Sequence, residues 1–290
     1  LQRTNQIYML IFNKQSDLKA YMLPFWTDQT SIGFVPTMGA LHEGHLSLLR
    51  KALQENKLVM ISIFVNPTQF NNPEDLENYP RTLDRDVQKI ATLSDKVVIY
   101  APTVDDIYNG KTVSQSFNYD GLEHQMEGKH RPGHFDGVGT IVKRLFEIVQ
   151  PKNAYFGEKD FQQLQIIKKL AQKYNIPVNV VGCPIHREKN GLAMSSRNER
   201  LSEAEKEESA LIFKTLTTAK KIFGTKSANE VSDFVKKTFE MHPQFSLEYF
   251  QIADEATLKP CLRRVKNKKY RAFIAVFINN IRLIDTISLN

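Results

Sequence analysis

Apolar positions along the chain fall into two patterns. Ser31–Val35, Lys57–Val65, Val97–Ala101, Asn153–Phe156 and Val178–Gly182 are short apolar or β-branched runs, which read as strands buried on both faces. Between them, apolar residues recur at helical spacing over about 14–26, 45–56, 82–93, 137–149 and 160–174. Strands alternating with helices predict βαβ units: a Rossmann-like α/β domain whose parallel sheet carries helices on both faces. The Ile176-Pro177 step stops one helix before its strand. After Pro184 the pattern changes. Two charged helical stretches, about 203–223 and 227–241, precede the alternating runs Leu247–Ile252, Tyr270–Ile278 and Ile281–Ile287. Asn279-Asn280 reads as the hairpin turn between the last two. The expected organisation is therefore a Rossmann-like α/β domain over 1–184 and a smaller α+β domain over 185–290.

Composition narrows the class without naming a chemistry. The 290 residues suffice for one large or two smaller domains, and 41% hydrophobic with 24% charged residues suits a globular protein. The net charge of +7 suits an anionic ligand as well as nucleic acid. The densest basic stretch, Arg263-Arg264-Val265-Lys266-Asn267-Lys268-Lys269, carries no interleaved aromatic platform and reads as a solvated turn, so no nucleic-acid partner is expected. Cys183 and Cys261 form no Cys-x-x-Cys pair. Two such isolated cysteines fit a reducing, cytoplasmic setting. No apolar run approaches the roughly 20 residues that span a bilayer, so no membrane partner is expected. The first residue is Leu1 rather than Met, and residues 1–8 read as sequence ahead of a possible start at Met9.

Two stretches carry the candidate chemistry. Pro36-Thr37-Met38-Gly39-Ala40-Leu41-His42-Glu43-Gly44-His45 follows a strand-like run and precedes Leu46, Leu49, Ala52 and Leu53, which share one helical face. Two histidines and two glycines thus sit at a strand-to-helix turn, where open α/β sheets bind ligands. Glycines there let backbone N–H groups approach phosphate, and the helix N-terminus favours negative charge. A histidine at such a turn can serve chemistry or merely cap the helix. Met194-Ser195-Ser196-Arg197-Asn198 supplies two hydroxyls and a guanidinium, which suit phosphate oxygens. A zinc site is not expected. His42-Glu43-Gly44-His45 has a spacing of three rather than the four of His-Glu-x-x-His, and Arg131-Pro132-Gly133 separates His130 from His134. The Gly-x-Gly-x-x-Gly dinucleotide fingerprint is also missing.

With four further stretches, these segments resemble a known family. The others are Phe64-Val65-Asn66-Pro67-Thr68-Gln69-Phe70, Tyr79-Pro80-Arg81-Thr82, Arg131-Pro132-Gly133-His134-Phe135, and Tyr155-Phe156-Gly157-Glu158-Lys159-Asp160 with Gln162-Gln163. Their identity and order over residues 32–198 resemble the pantoate–β-alanine ligase (pantothenate synthetase) family of the class I nucleotidyl-transfer superfamily. The resemblance implies condensation of (R)-pantoate with β-alanine in coenzyme A biosynthesis, through pantoyl adenylate, with release of pyrophosphate and AMP. It implies His45, His42 and Lys159 as catalytic, with His45 a proton donor. It implies ATP contacts from Met38, Gly39, Ala40, Leu41, His42, Glu43, Gly44, His45, Gly157, Glu158, Lys159, Asp160, His186, Met194, Ser195, Ser196 and Arg197. Lys159 would meet phosphate and Asp160 the ribose. Pro36, Met38, Gln69 and Gln163 would bind pantoate, with Gln69 also near β-alanine. Arg81 and Arg131 are further basic candidates. Magnesium should accompany ATP, with Asp86 as an outer-sphere partner, and the family is typically homodimeric.

Two departures bear on those assignments. Arg85 interrupts the acidic pair Asp84 and Asp86. His186 stands where the family usually has a small aliphatic residue beside adenine, so adenine is either read there through the backbone or bound differently. A rival reading is another adenylyltransferase with the same histidine turn, which would leave AMP on its product. Gln69, Gln163 and the Pro36–Met38 turn argue against it. A basic RNA-binding module is a further rival, and it lacks an aromatic-rich basic surface.

Overall fold

The computed structural model describes residues 9–290; the segment 1–8, expected as sequence ahead of Met9, lies outside the described residues. Strands β1 (Leu10–Phe12), β2 (Ile32–Thr37), β3 (Leu58–Ile63), β4 (Val97–Tyr100), β5 (Asn153–Gly157) and β6 (Asn179–Cys183) form one parallel sheet in the order β1-β4-β3-β2-β5-β6. Strands β7 (Phe245–Asp254), β8 (Tyr270–Ile278) and β9 (Ile281–Ser288) form a separate antiparallel sheet. In chain order the helices are α1 (Gln15–Thr27), α2 (Glu43–Glu55), α3 (Pro73–Glu77), α4 (Leu83–Ala91), α5 (Val104–Tyr108) and α6 (Met126–His130). They continue with α7 (His134–Val149), α8 (Phe161–Lys173), α9 (Glu203–Glu208), α10 (Ala210–Phe223) and α11 (Ala228–Glu240). The α/β sheet and the smaller α+β part expected from the hydrophobic pattern are both present. No helix among the described residues is long and apolar enough to cross a membrane.

The chain divides into two units. The first takes 9–117 of the described residues, together with Pro132–Gly157 and Ile166–Cys183; the second takes Asn118–Arg131, Glu158–Gln165 and Pro184–Asn290. In the first unit the strands are near-continuous apolar runs because helices cover both faces of the sheet. One face buries Val35, Val59, Ile61, Val97 and Ile99 against Leu46, Leu49 and Ala52 of α2 and Ile90 of α4. On the other, Phe34 of β2 and Phe156 of β5 meet Phe146 of α7 edge-on, with both pairs of ring centroids 6.5 Å apart. Strand order reverses between β2 and β5, so the carboxyl end of β2 lies at the switch point of the sheet, where such folds place ligands. Strand β1 escaped the periodicity reading because it is three residues long and two of them are exposed.

In the second unit α10 and α11 lay Ile212, Leu216, Ala219, Phe223, Val231, Val235 and Phe239 on the sheet residues Ile252, Ala272, Ile274, Val276 and Ile278. Ile278 pairs with Ile281 across Asn279-Asn280, and Asn279 takes a left-handed φ of 51°, so the expected hairpin is present. The basic stretch 263–269 is an exposed connection between β7 and β8. The single helix expected over 203–223 is instead two. Buried Ser209 turns its hydroxyl back onto the Glu205 carbonyl (2.7 Å), a local bond that competes with helix continuation.

Unit two also holds a buried charge network. Arg282 of β9 grips Glu127 of α6 with two bonds of 2.8 Å, and the Tyr249 hydroxyl donates to the same carboxylate at 2.7 Å. Arg282 also pairs with Glu248, beside the β7 irregularity between Leu247 and Tyr249. Burial by itself pushes the Glu127 carboxyl up, but the Arg282 guanidinium outweighs it and holds the group down at about 2. A carboxyl depressed in the folded state stabilises fully above its unfolded value near 4.3, and that stabilisation is lost as pH falls toward 2. Glu127→Gln is therefore expected to cost about 3–5 kcal/mol near neutrality, with the gap to the parent narrowing as acid is added. Urea unfolding of both chains from pH 7 to pH 2.5 checks this; a gap independent of pH contradicts it.

Candidate active site

The turn from β2 into α2 carries most of the candidates, and its backbone is tightly held. Gly39 and Ala40 both adopt left-handed backbone, with φ of 85° and 48°. A Cβ on Gly39 would also press within 3.2 Å of the Asp86 carboxylate. The Gly39 N–H points to the Thr37 hydroxyl (3.3 Å), which itself donates to the Ser62 carbonyl at 2.7 Å. The next two N–H groups, of Ala40 and Leu41, donate to the two oxygens of Asp86 at 2.9 and 2.7 Å.

His42 is the N-cap of α2, and its Nδ1 accepts the Gly44 N–H at 3.2 Å. His45 turns back so that its Nδ1 accepts the His42 N–H at 3.4 Å. The rings lie 4.1 Å apart between centroids. Capping of the helix start therefore uses Nδ1 of both rings. Each Nδ1 serves the backbone as acceptor, which puts the proton of the neutral ring on Nε2 as a donor.

Two pantoate candidates also meet. The Gln69 amide donates to the Met38 sulfur at 3.2 Å. Gln69 ends the short 3-10 turn Pro67–Gln69, and α7 crosses that turn so closely that a Cβ on Gly137 would lie 2.2 Å from the Thr68 carbonyl oxygen. Asn66, in the sequence only one residue of a motif, organises this corner. Its amide donates to Gln69 Oε1 (3.1 Å) and the Gly137 carbonyl (3.3 Å), and its oxygen accepts from Tyr108 (2.5 Å) and Thr68 (3.2 Å). His134 Nδ1 pairs with the Gln69 carbonyl at 2.8 Å. No periodicity marks Asn66, Tyr108 or Gly137 as partners, since they lie on three separate elements.

Asp86 does not fit the cation role given it from the family resemblance. Its carboxylate is fully buried, and its oxygens already accept the Ala40 and Leu41 N–H groups and the Thr82 hydroxyl (3.2 Å). A magnesium partner, even through water, needs an oxygen facing solvent or phosphate. Arg81 is likewise engaged: it donates to the carbonyls of Leu76, Glu77 and Tyr79 around the end of α3.

In the second unit, Glu158–Asp160 form a 3-10 turn leading into α8. Lys159 Nζ lies 3.8 Å from Asp160, while Glu158 meets Arg271 at 3.4 Å. Of the double glutamine, Gln162 is structural: its amide bonds the Leu122 and Gln125 carbonyls and the Glu127 N–H. Its neighbour Gln163 is half-buried. Arg131 pairs with Glu127 at 3.6 Å.

His186 and Met194, eight positions apart, are paired strands of one small hairpin. The Met194 N–H donates to the His186 carbonyl at 3.0 Å, and Arg187 bridges to Ala193. Ser195 then caps the 3-10 turn Ser196–Arg200 by accepting the Arg197 N–H at 3.2 Å. Arg187 anchors the hairpin: it forks onto Asp285 of β9 (2.6 and 3.0 Å), reaches the Gly191 carbonyl (3.1 Å) and lies 3.9 Å over the Phe213 ring. Burial is the larger influence on Asp285 and pushes its carboxyl up, against the pull of Arg187. Arg187→Met should cost roughly 3–5 kcal/mol by stranding that acid, and should speed amide exchange at Glu188, Gly191 and Met194. Denaturant unfolding and hydrogen exchange check both; unchanged protection of the hairpin contradicts the anchoring role.

The family model described as pantoate-beta-alanine ligase matches residues 10–288. The pantothenate synthetase of Flavobacterium psychrophilum is 68% identical over 281 residues, covering 97% of this chain and all of that protein. That of Christiangramia forsetii is 51% identical over 282 residues, covering 97% of this chain and all of its own length. Among solved structures, pantothenate synthetase from Thermus thermophilus aligns with a TM-score of 0.89 at 36% identity, covering 97% of this chain and 99% of that one. Pantoate-beta-alanine ligase from Francisella tularensis, complexed with beta-gamma ATP and beta-alanine, aligns at 0.77 and 34% identity, covering 97% and 98%.

Proposed function

The chain belongs to the pantoate–β-alanine ligase family, and on that premise we propose that its histidine turn is the centre at which pantoate is activated. The enzyme is an ATP-dependent ligase that joins pantoate to β-alanine to form pantothenate. That assignment removes the adenylyltransferase and RNA-binding readings.

A carboxylate is a poor acyl donor, so activation precedes the amide bond. One pantoate oxygen attacks the α-phosphorus of ATP, the bond to the bridging oxygen breaks, and pyrophosphate leaves. The β-alanine amine then attacks the acyl carbon of pantoyl adenylate, loses a proton, and expels AMP. The first step builds charge on phosphoryl oxygens, and catalysis there rests on position and on donors aimed at that charge. The observation that carries the reading is the Nδ1 bonding of His42 and His45, which makes Nε2 the donor of both rings. His45 and His42 donate to the phosphoryl oxygens in this scheme, and Lys159 supplies a mobile positive charge to the same group.

The remaining roles follow the family pattern. Met38, Gly39, His42–His45, Gly157–Asp160, His186 and Met194–Arg197 contact the nucleotide, while Ala40 and Leu41, fully covered and bonded to Asp86, shape the turn from behind; Pro36, Met38, Gln69 and Gln163 hold pantoate, with Gln69 also beside β-alanine. The Met38–Gln69 contact supports a shared pantoate corner. At His186 the carbonyl accepts the Met194 N–H, which ties the hairpin at the position proposed to lie beside adenine. Magnesium would accompany ATP and offset the charge of its phosphates, and no carboxylate of the protein is assigned to it. A homodimer in the cytoplasm completes the proposal, by family likeness.

The test is exchange of labelled pyrophosphate into ATP with pantoate present and β-alanine withheld. Pantoate-dependent exchange is expected, and its absence in folded, ATP-binding enzyme contradicts a separable adenylate. His45→Ala and Lys159→Ala should each lower that exchange by orders of magnitude without loss of fold, while His186→Val should leave ATP affinity unchanged. Near-normal exchange in either of the first two variants removes the role given to that residue.

A further inference from the structure

We propose that Asp86, with Lys89, is a positioning residue for the histidine turn rather than a partner of the cation. The proposal rests on the reading of His42 and His45 as the activating donors. It starts from the fit of Asp86 to its surroundings. The carboxylate takes one backbone N–H on each oxygen, from adjacent residues Ala40 and Leu41. Three residues further along α4, Lys89 donates to the carbonyl of the same Leu41. One helix face therefore holds the turn by both polarities of its backbone, at the residue immediately before His42.

The spacing makes this possible. Positions 86 and 89 are i and i+3 on α4 and share a face, which their common partner Leu41 confirms. The turn needs such a hold. Ala40 has a Cβ yet sits at φ 48°, a strained conformation that persists only where the surroundings over-determine it. The N–H groups of Ala40 and Leu41 belong to fully covered residues, where a backbone donor requires an acceptor. Rotation of the turn would carry His42 and then His45 with it, because the His45 ring is tied to the His42 N–H. Displacement of a catalytic group by about 1 Å can cost on the order of 100-fold in rate.

Asp86→Asn is close in size but sets an amide N–H₂ against one of the two backbone N–H groups. Lys89→Met keeps the carboxylate and removes only the grip on the Leu41 carbonyl. Three quantities are measured for each in the full chain: the maximal rate of pantoate-dependent pyrophosphate exchange, its dependence on magnesium concentration, and amide hydrogen exchange at Ala40, Leu41 and, as reference, Ile61. The clamp predicts that Asp86→Asn lowers the maximal rate on the order of 10–100-fold, with an unchanged magnesium dependence. It predicts faster amide exchange at Ala40 and Leu41 with no change at Ile61, and a smaller change of the same kind in Lys89→Met. A higher magnesium requirement in Asp86→Asn, with the rate restored by excess magnesium, overturns the proposal in favour of a cation role. Wild-type maximal rates in both folded variants overturn it too, as does unaltered protection of Ala40 and Leu41. Should Asp86→Asn fail to fold, Lys89→Met decides by the same three readouts. If the parent enzyme shows no pantoate-dependent exchange, the functional reading fails, and the amide measurements, which need no turnover, still judge the clamp.

Discussion

A strand that ends at the switch point of a parallel sheet must turn into its helix within a few residues, and the N–H groups of that turn face the protein interior. Here the buried Asp86 carboxylate meets two of them at once. The rest of the site depends on this constraint. It permits left-handed backbone at Gly39 and Ala40, sets where α2 begins, and thereby fixes which atoms of His42 and His45 face the backbone. Because Nδ1 of each ring accepts a backbone N–H, the local fold itself favours the tautomer with its proton on Nε2.

The same economy of backbone partners recurs elsewhere. Asn66 uses its amide to hold Gln69 and its oxygen to hold Tyr108 and Thr68, so one buried side chain orients a candidate ligand-binding residue. Gly137 lets α7 approach that turn with no side chain between them. In the second unit, buried ion pairs take over the work: Arg187 with Asp285 holds the hairpin that carries His186 and Met194, and Arg282 with Glu127 holds α6. Such pairs are costly to bury and costlier to break singly, which suits parts that must keep one arrangement.

Much of this was legible from residues alone. The buried strands and amphipathic helices of the first unit followed from period and run length, because a sheet covered on both faces leaves unbroken apolar stretches. The histidine turn was legible because glycine, histidine and a following helical face fall at fixed offsets. Asp86 was legible as an acid of interest but not in its task. Charge and spacing point equally to a cation and to backbone N–H groups, and only the fold brings residue 86 beneath residues 40 and 41. Asn66, Tyr108 and the Arg187–Asp285 pair were hidden for a similar reason, being contacts between residues up to 98 positions apart. The break at Ser209 was missed because a serine hydroxyl bonding its own helix leaves the apolar period intact.

Activation requires that a pantoate oxygen become bonded to phosphorus, and the most direct measurement follows that atom. Pantoate labelled with oxygen-18 in its carboxylate is turned over with ATP and β-alanine, and the AMP is weighed by mass spectrometry. An adenylate route predicts one labelled oxygen in each AMP, carried there when the acyl–oxygen bond of the adenylate breaks. AMP without label, or the label leaving in inorganic phosphate beside ADP, would contradict it.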